Sequence, residues 1–467
     1  MPPRAGACGL AAMLALGAVA FACATRHGGT TQPAANVSQP ETDREVAWLR
    51  AHALPLRTTV ERDDDFADLE PLRETLGRAR VVVLGEADHG DGTTFVVKTR
   101  LVRFLHQRLG YDVLAFESGF YECWKAWQQI EAGKDPAAAF RDSVFRVWTV
   151  SRQVQPLIDD FARAARSPRP LVLAGFDPQF TGANSALFLD DLKRTAAAAG
   201  VPRERFTERF AASLANLVDG RYEEGEKPEP AAREELLAVL AEVQTRLHGD
   251  AATAVPERDF WIRLLAGLRQ LTASSWATDW SKPLLEDTVN YPVRDRVMGE
   301  HLTWLARERF PRQKIVVWMH SFHAARGLDG VATSRADLNR LWRTLQPAGA
   351  VAHAELGDEI YTVGVLAHHG QRRFANLKVP PKDIPPASPG SLEDLFHRTG
   401  DELAFLDLRH TRGQPRWLLA PLLARPSNYE PMRARWRQVF DGLLFIDAME
   451  PSEKAPAPAA TPSPSPS

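Results

Sequence analysis

Val81-Val82-Val83-Leu84-Gly85-Glu86-Ala87-Asp88-His89-Gly90-Asp91-Gly92 is an aliphatic run that ends in glycines and ionisable groups. Phe95, Val97, Leu101, Val102, Leu105 and Leu109 follow at three-to-four spacing, and Gly110 comes next. The pattern predicts a strand buried on both faces, a tight turn, and an amphipathic helix that stops at the glycine. Glu86, Asp88 and His89 sit in the turn. Two carboxylates and an imidazole at the end of a buried strand are poor packing material and good material for acid and base chemistry.

Similar apolar runs recur at 112–116, 171–176 and 315–319, and later at 360–366, 403–407 and 443–446. Strands alternating with helical patterns predict an α/β fold, a mainly parallel sheet flanked by helices. The stretch 185–290 departs from this. It has helical periodicity at 186–198, 205–217, 230–247 and 256–275 and no convincing strand, so it reads as an inserted all-helical lobe. Phe260, Trp261, Trp276 and Trp280 near its end are expected to fill a core rather than line a pocket.

The first four strands share one regularity: each is followed by chemistry-bearing residues. Glu86 and His89 follow the first, Glu117 the second, Asp177 the third, and His320 and His323 the fourth. Ligands of open α/β sheets bind beyond the carboxyl ends of the strands, so these residues are expected to converge on one crevice. Taken singly, each has an ordinary structural reading: a buried ion-pair partner for Glu86 or Glu117, a turn residue ahead of Pro178 for Asp177, a helix cap for His323. Together at one end of a sheet they favour a site. His106 and His301 fall within helical patterns and are expected to face solvent, whereas His353, His368 and His369 flank late strands and could reach the rim.

Three chemistries fit this set: water activated by a carboxylate-oriented histidine, a divalent metal held by the cluster, or a serine nucleophile. Ser118 follows Glu117, but no G-x-S-x-G elbow exists in the chain, and His320-Ser321-Phe322-His323 is not the H-E-x-x-H of helix-borne zinc sites. A protein of the same fold that binds a metal or ligand at the cell envelope without turnover is the non-enzymatic alternative.

Composition sets outer limits. Basic and acidic residues number 57 and 59, giving a formal net charge of -2, and their even mixing gives no sign of a nucleic-acid partner. Residues 1–22 carry one positive charge and then an apolar run ending in Ala20-Phe21-Ala22, the pattern of a secretory signal peptide. An exported protein is expected, either secreted or periplasmic, or lipid-anchored to the outer membrane at Cys23. Residues 23–44 read as a flexible tether, 45–450 as one globular domain, and 451–467 as a disordered tail of Pro, Ala and Ser. Cys123 is the single cysteine of the globular part and is expected to be a small buried apolar residue.

Several blocks resemble the erythromycin esterase family. They are Leu84-Gly85-Glu86-Ala87-Asp88-His89-Gly90, Arg100 to Leu105, Ala115-Phe116-Glu117-Ser118-Gly119-Phe120, Gly175-Phe176-Asp177, Arg294 to Met298, Trp318 to Arg326, and Phe440 to Asp447. The resemblance implies a cofactor-free and metal-independent hydrolase of an ester or macrolide lactone, with His89 as the base that activates water. It carries Glu86, Glu117, His320 and His323 over as catalytic partners; Lys98, Asp177, Arg294 and Asp88 are the candidates for substrate binding. The chain departs from the family at Asp88 (usually threonine), Thr93 (often glutamate), Lys98 (often arginine) and Ser321 (often asparagine). Lysine keeps the charge of arginine but not its bidentate fork. A further carboxylate beside the base could raise its pKa or reorient it.

Overall fold

The computed structural model describes residues 39–57, 63–281 and 290–456. The signal peptide, the lipidation candidate Cys23 and most of the tether lie outside these residues. The strands in chain order are β1 (Leu54–Pro55), β2 (Val81–Leu84), β3 (Tyr111–Gly119), β4 (Val172–Asp177), β5 (Lys314–Trp318), β6 (Ile360–Arg372), β7 (Lys382–Ile384), β8 (Leu403–Asp407), β9 (Leu422–Ala424), β10 (Met432–Ala434) and β11 (Gly442–Met449). Nine of them form one sheet in the order β1-β8-β11-β6-β2-β5-β3-β4, with β7 on β6. The central pairings from β11 to β4 are parallel, and the antiparallel ones fall at β1, β7 and β8.

Side-chain alternation explains why the central strands are apolar throughout. Val82, Leu84, Leu114, Phe116, Val316 and Trp318 point to one face and join the core under the helices Gly92–Leu109 and Gln155–Ala164. Val81, Val83, Val113, Ala115, Ile315 and Val317 point to the other, against the helices between 188 and 304. A strand covered on both faces cannot afford a polar residue at either parity. Gly110 closes the first helix in the left-handed conformation (φ 73°), as its C-terminal position demands.

The stretch read as all-helical is so among the described residues, with helices Phe188–Ala198, Glu208–Val218, Pro230–His248 and Arg258–Ala277. Phe260, Trp261 and Trp276 are buried in the same apolar cluster as Val81 and Val83, with Trp280 packed against it. Cys123 is fully buried, and burial pushes its thiol well above the ordinary range.

Three expectations need correction. The tether does not run to residue 44: a helix spans Gln39–His52 and sinks Val46 and Leu49 into the core. The segment after 450 is not loose from its start, because its backbone is taken up by the rest of the chain. Ser452 N donates to Gly90 O at 2.8 Å, Arg152 N to Glu453 O at 2.6 Å, and Ala455 N to Val150 O at 2.8 Å. Residues 457–467 lie outside the described part. His106 and His301 are buried rather than solvent-facing, and one nitrogen of each ring lies on a backbone carbonyl. His106 Nδ1 lies 2.7 Å from Tyr111 O; His301 Nδ1 lies 3.0 Å from Phe176 O, and its ring stacks on Phe120 at 4.0 Å. No helix among the described residues is long and apolar enough to cross a membrane.

Candidate active site

The carboxyl ends of β2, β3, β4 and β5 bring together the residues expected there. The turn after β2 is tight because Gly85 lies against its neighbours: a Cβ there would stand 2.5 Å from Ser321 Oγ and 2.7 Å from Val363 O. Glu86 is fully buried and all its charge is matched. Its Oε1 is 2.6 Å from His89 Nδ1 and accepts the Trp148 indole N–H at 2.9 Å, and its Oε2 receives Lys98 Nζ at 2.6 Å. Lys98 reaches it from the following helix, over the face of Trp318 at 4.1 Å. Burial pulls the Lys98 ammonium down to about 8 even with Glu86 beside it.

Three imidazoles stand in a row. The rings of His89 and His320 are 5.1 Å apart and those of His320 and His323 6.2 Å. Their nitrogens are used differently. His320 Nδ1 accepts the Phe322 amide at 3.1 Å, so its proton sits on Nε2, which donates to Ala87 O at 2.9 Å. Burial, with His89 and His323 alongside, pushes this ring well below 6.5, and it stays neutral. His323 Nδ1 lies 2.8 Å from Asp295, while Nε2 faces Arg294 at 3.3 Å and Glu117 at 3.5 Å. Burial opposes its protonation, but Asp295 and Glu117 outweigh that and raise it from 6.5. In His89, with Nδ1 on Glu86, no described residue hydrogen-bonds Nε2. His89 also keeps 7% of its surface exposed, against 3% for His320 and 2% for His323.

Behind the row, Arg294 spans two carboxylates, bonding Asp177 at 3.2 and 2.5 Å and Glu117 at 3.2 Å. Glu117 also accepts the His320 amide at 2.8 Å. Burial would raise the Glu117 carboxyl, but His323, Arg294 and His89 together hold it at about 2.

Glu86, His89, Lys98, Glu117, Asp177, Arg294, His320 and His323 therefore form one connected network. Asp88 does not share it. Its Oδ2 pairs with Arg372, and its Oδ1 accepts Gly90 N at 2.8 Å, so the additional carboxylate is spent on holding the turn. Thr93 has a similar local task, accepting the Glu450 amide at 2.9 Å. Sequence reasoning missed Trp148 and Asp295. Asp295 stands beside Arg294 in a block already singled out, and that adjacency was the available signal. Nothing around Trp148 marks it. The donor atoms that do converge as a metal would require belong to other described residues, His368, His369 and Asp447 on β6 and β11.

The Erythromycin esterase family profile matches residues 106–449. The chain belongs to the erythromycin esterase family. Glu86, His89 and Lys98 stand just upstream of the matched span. A longer likeness takes them in: YbfO of Bacillus subtilis (strain 168), which carries a provisional hydrolase name, is 26% identical over 420 residues, covering 87% of this chain and 91% of that one. Erythromycin esterase type II of Escherichia coli is 37% identical over 75 residues, 16% of this chain and 18% of its own. Among solved structures, a succinoglycan biosynthesis protein aligns with a TM-score of 0.70 at 20% identity, over 89% of this chain and 100% of that one. A mutant erythromycin esterase in its open conformation aligns at 0.62 and 17%, over 86% and 98%. These structural likenesses establish that this family member shares their fold.

Proposed function

We propose that this family member hydrolyses an ester or macrolide lactone with water activated by His89 and without a metal. The observation that carries the reading is the division of labour among the histidines. Among the three histidines of the row, and as far as the described residues go, His89 offers the nitrogen that is both unpaired and reachable, and its other nitrogen is fixed by a buried carboxylate. Glu86 accepts the Nδ1 proton and fixes the tautomer, leaving the Nε2 lone pair to take a proton from water. The hydroxide adds to the carbonyl carbon, and the protonated His89 returns its proton to the departing alkoxide. The raised His323 supplies positive charge for the oxyanion. Lys98, Asp177 and Arg294 have their charges matched within the protein, which favours positioning roles for them over direct substrate contact. The helices between 188 and 277 would cover the crevice and select a bulky, mostly apolar substrate.

An exported protein, secreted or anchored at Cys23, would meet its ester outside the cytoplasm. The direct test is mass spectrometry of erythromycin, other macrolides and simple esters after incubation with the protein, with and without chelator, beside His89→Gln. Addition of one water, indifferent to chelator and lost in the variant, is expected. Hydrolysis that survives in His89→Gln would remove His89 as base. Hydrolysis abolished by chelator would replace the mechanism with a metal-dependent one.

A further inference from the structure

The same edge of the sheet carries a second histidine cluster, at the ends of β6 and β11. In the parallel register Ile446 pairs with Ala367 and Ala448 with His369, so Asp447 comes level with His368 on the neighbouring strand. His369, which strand alternation would send to the opposite face, instead meets His368 just before Gly370 at φ 130°. Their Nδ1 atoms are 3.1 Å apart, and His368 Nδ1 is 3.8 Å from Asp447 Oδ1. His397, at the end of the helix Leu392–His397, stacks on His368 at 3.9 Å and places Nδ1 2.6 Å from Asp447 Oδ1.

Two imidazole nitrogens facing each other at hydrogen-bond distance share at most one proton when neutral. With the proton of each ring on Nε2, both Nδ1 lone pairs point at the same space, with a carboxylate oxygen beside them. A four-coordinate ion with bonds of roughly 2.0–2.1 Å separates its ligand atoms by about 3.3 Å, and the two distances here bracket that value. Donors of this kind suit zinc and its neighbours. The cluster is accessible to an ion, since His369 and Asp447 are half-buried and His397 is exposed. It is also firmly mounted: His368 O accepts Ala387 N at 2.9 Å and Arg425 Nη2 at 3.0 Å, and Asp447 N donates to Glu402 O at 2.9 Å.

We propose that His368 Nδ1, His369 Nδ1 and the Asp447 carboxylate bind a divalent ion of the zinc class, with His397 orienting the carboxylate from behind. The site is separate from the His89 cluster and independent of the hydrolytic reading. An ion there would join β6, β11 and the 392–397 helix.

The test uses the whole chain without a histidine tag, stripped with chelator and titrated with Zn²⁺ by calorimetry and with Co²⁺ by visible absorption. One ion per chain is expected, with the intense absorption of four- or five-coordinate cobalt and a rise in melting temperature on zinc addition. Asp447→Asn and His369→Gln should each weaken binding at least tenfold and abolish the thermal shift, while His89→Gln binds as the parent does. Melting curves of the ion-free variants show whether they fold. Absence of saturable binding, binding lost in His89→Gln alone, or unchanged binding in folded Asp447→Asn and His369→Gln would each overturn the proposal.

Discussion

Two clusters of imidazoles and carboxylates lie side by side on the carboxyl edge of one sheet, and they treat their lone pairs in opposite ways. Around β2, β3, β4 and β5, both nitrogens of His320 and of His323 are committed, and Glu86, Asp177 and Glu117 each face a cation. One reachable nitrogen, on His89, is left over. At β6 and β11 the nitrogens converge on each other and on Asp447 with no cation among them. A closed network fixes which atom may react, as acid and base chemistry requires. A converging, partly exposed one is complementary to something that arrives from solution.

The contrast makes its strongest demand on the first cluster. His89→Gln should lower turnover about 10²–10⁴-fold with little change in stability, because it removes the one uncommitted nitrogen. His320→Ala should act chiefly on stability, by about 1–3 kcal/mol, since it strands the buried Phe322 amide. Kinetics and denaturant melts of both variants would break the comparison if the two effects were exchanged. Next comes Lys98→Met, which leaves Glu86 buried without its cation. Denaturation should show a loss of about 3–5 kcal/mol, with activity falling as His89 loses its fixed tautomer. A mild effect would mean that Glu86 is not held as an anion.

At the second cluster the same logic predicts a smaller response. His397→Gln removes a group that touches the carboxylate rather than the ion. Zinc affinity should fall about 10–100-fold, with stoichiometry intact. Loss of stoichiometry would make His397 a ligand and redraw the site.

How much of this could be read from the chain differs between the two clusters for a physical reason. The strands β2 to β5 announce themselves because burial on both faces forces continuous apolar runs, and the parallel topology then fixes where Glu86, Glu117, Asp177 and His320 must meet. The roles inside the meeting place were not legible. Nothing in the spacing says that His320 spends both nitrogens on backbone, that Lys98 answers Glu86, or that Asp88 turns away to Arg372, because tautomers and ion pairs are settled by contacts in space, whether twelve positions apart as for Lys98 and Glu86 or 284 as for Asp88 and Arg372. Trp148 is core, yet its one polar atom holds Glu86. His368 and His369 could be placed near the rim as flanks of a late strand. Their partners could not, since Asp447 is brought alongside by strand register and His397 by a helix end. The first turns of the helix Gln39–His52, up to residue 44, and the bonded segment after 450 read as loose because sequence composition does not reveal which backbone amides find partners.

The rule that the closed half pairs every charge meets a hard case next door, in Glu122. One oxygen accepts the amides of Thr181 at 2.8 Å and Gly182 at 3.2 Å; the other is buried, and among the described residues neither a hydrogen-bond partner nor an ion-pairing cation meets it. Burial raises this carboxyl to about 8, so at neutral pH it is mostly protonated in the fold while the unfolded chain has released its proton above 4.5. Its stabilising contribution is therefore complete below the unfolded value and falls as pH rises toward 8. Glu122→Gln keeps the accepting oxygen and cannot ionise, but it puts an amide in the unpartnered position, costing about 1–3 kcal/mol at any pH. The two effects predict a crossing. The variant should be the less stable protein in acid and gain steadily on the parent above 4.5, the net difference near pH 7 being on the order of 1 kcal/mol. Denaturant melts across that range read the slope directly. Parallel stability curves would show that Glu122 ionises in the fold as it does in the unfolded chain, and that a buried carboxylate here needs no cation after all.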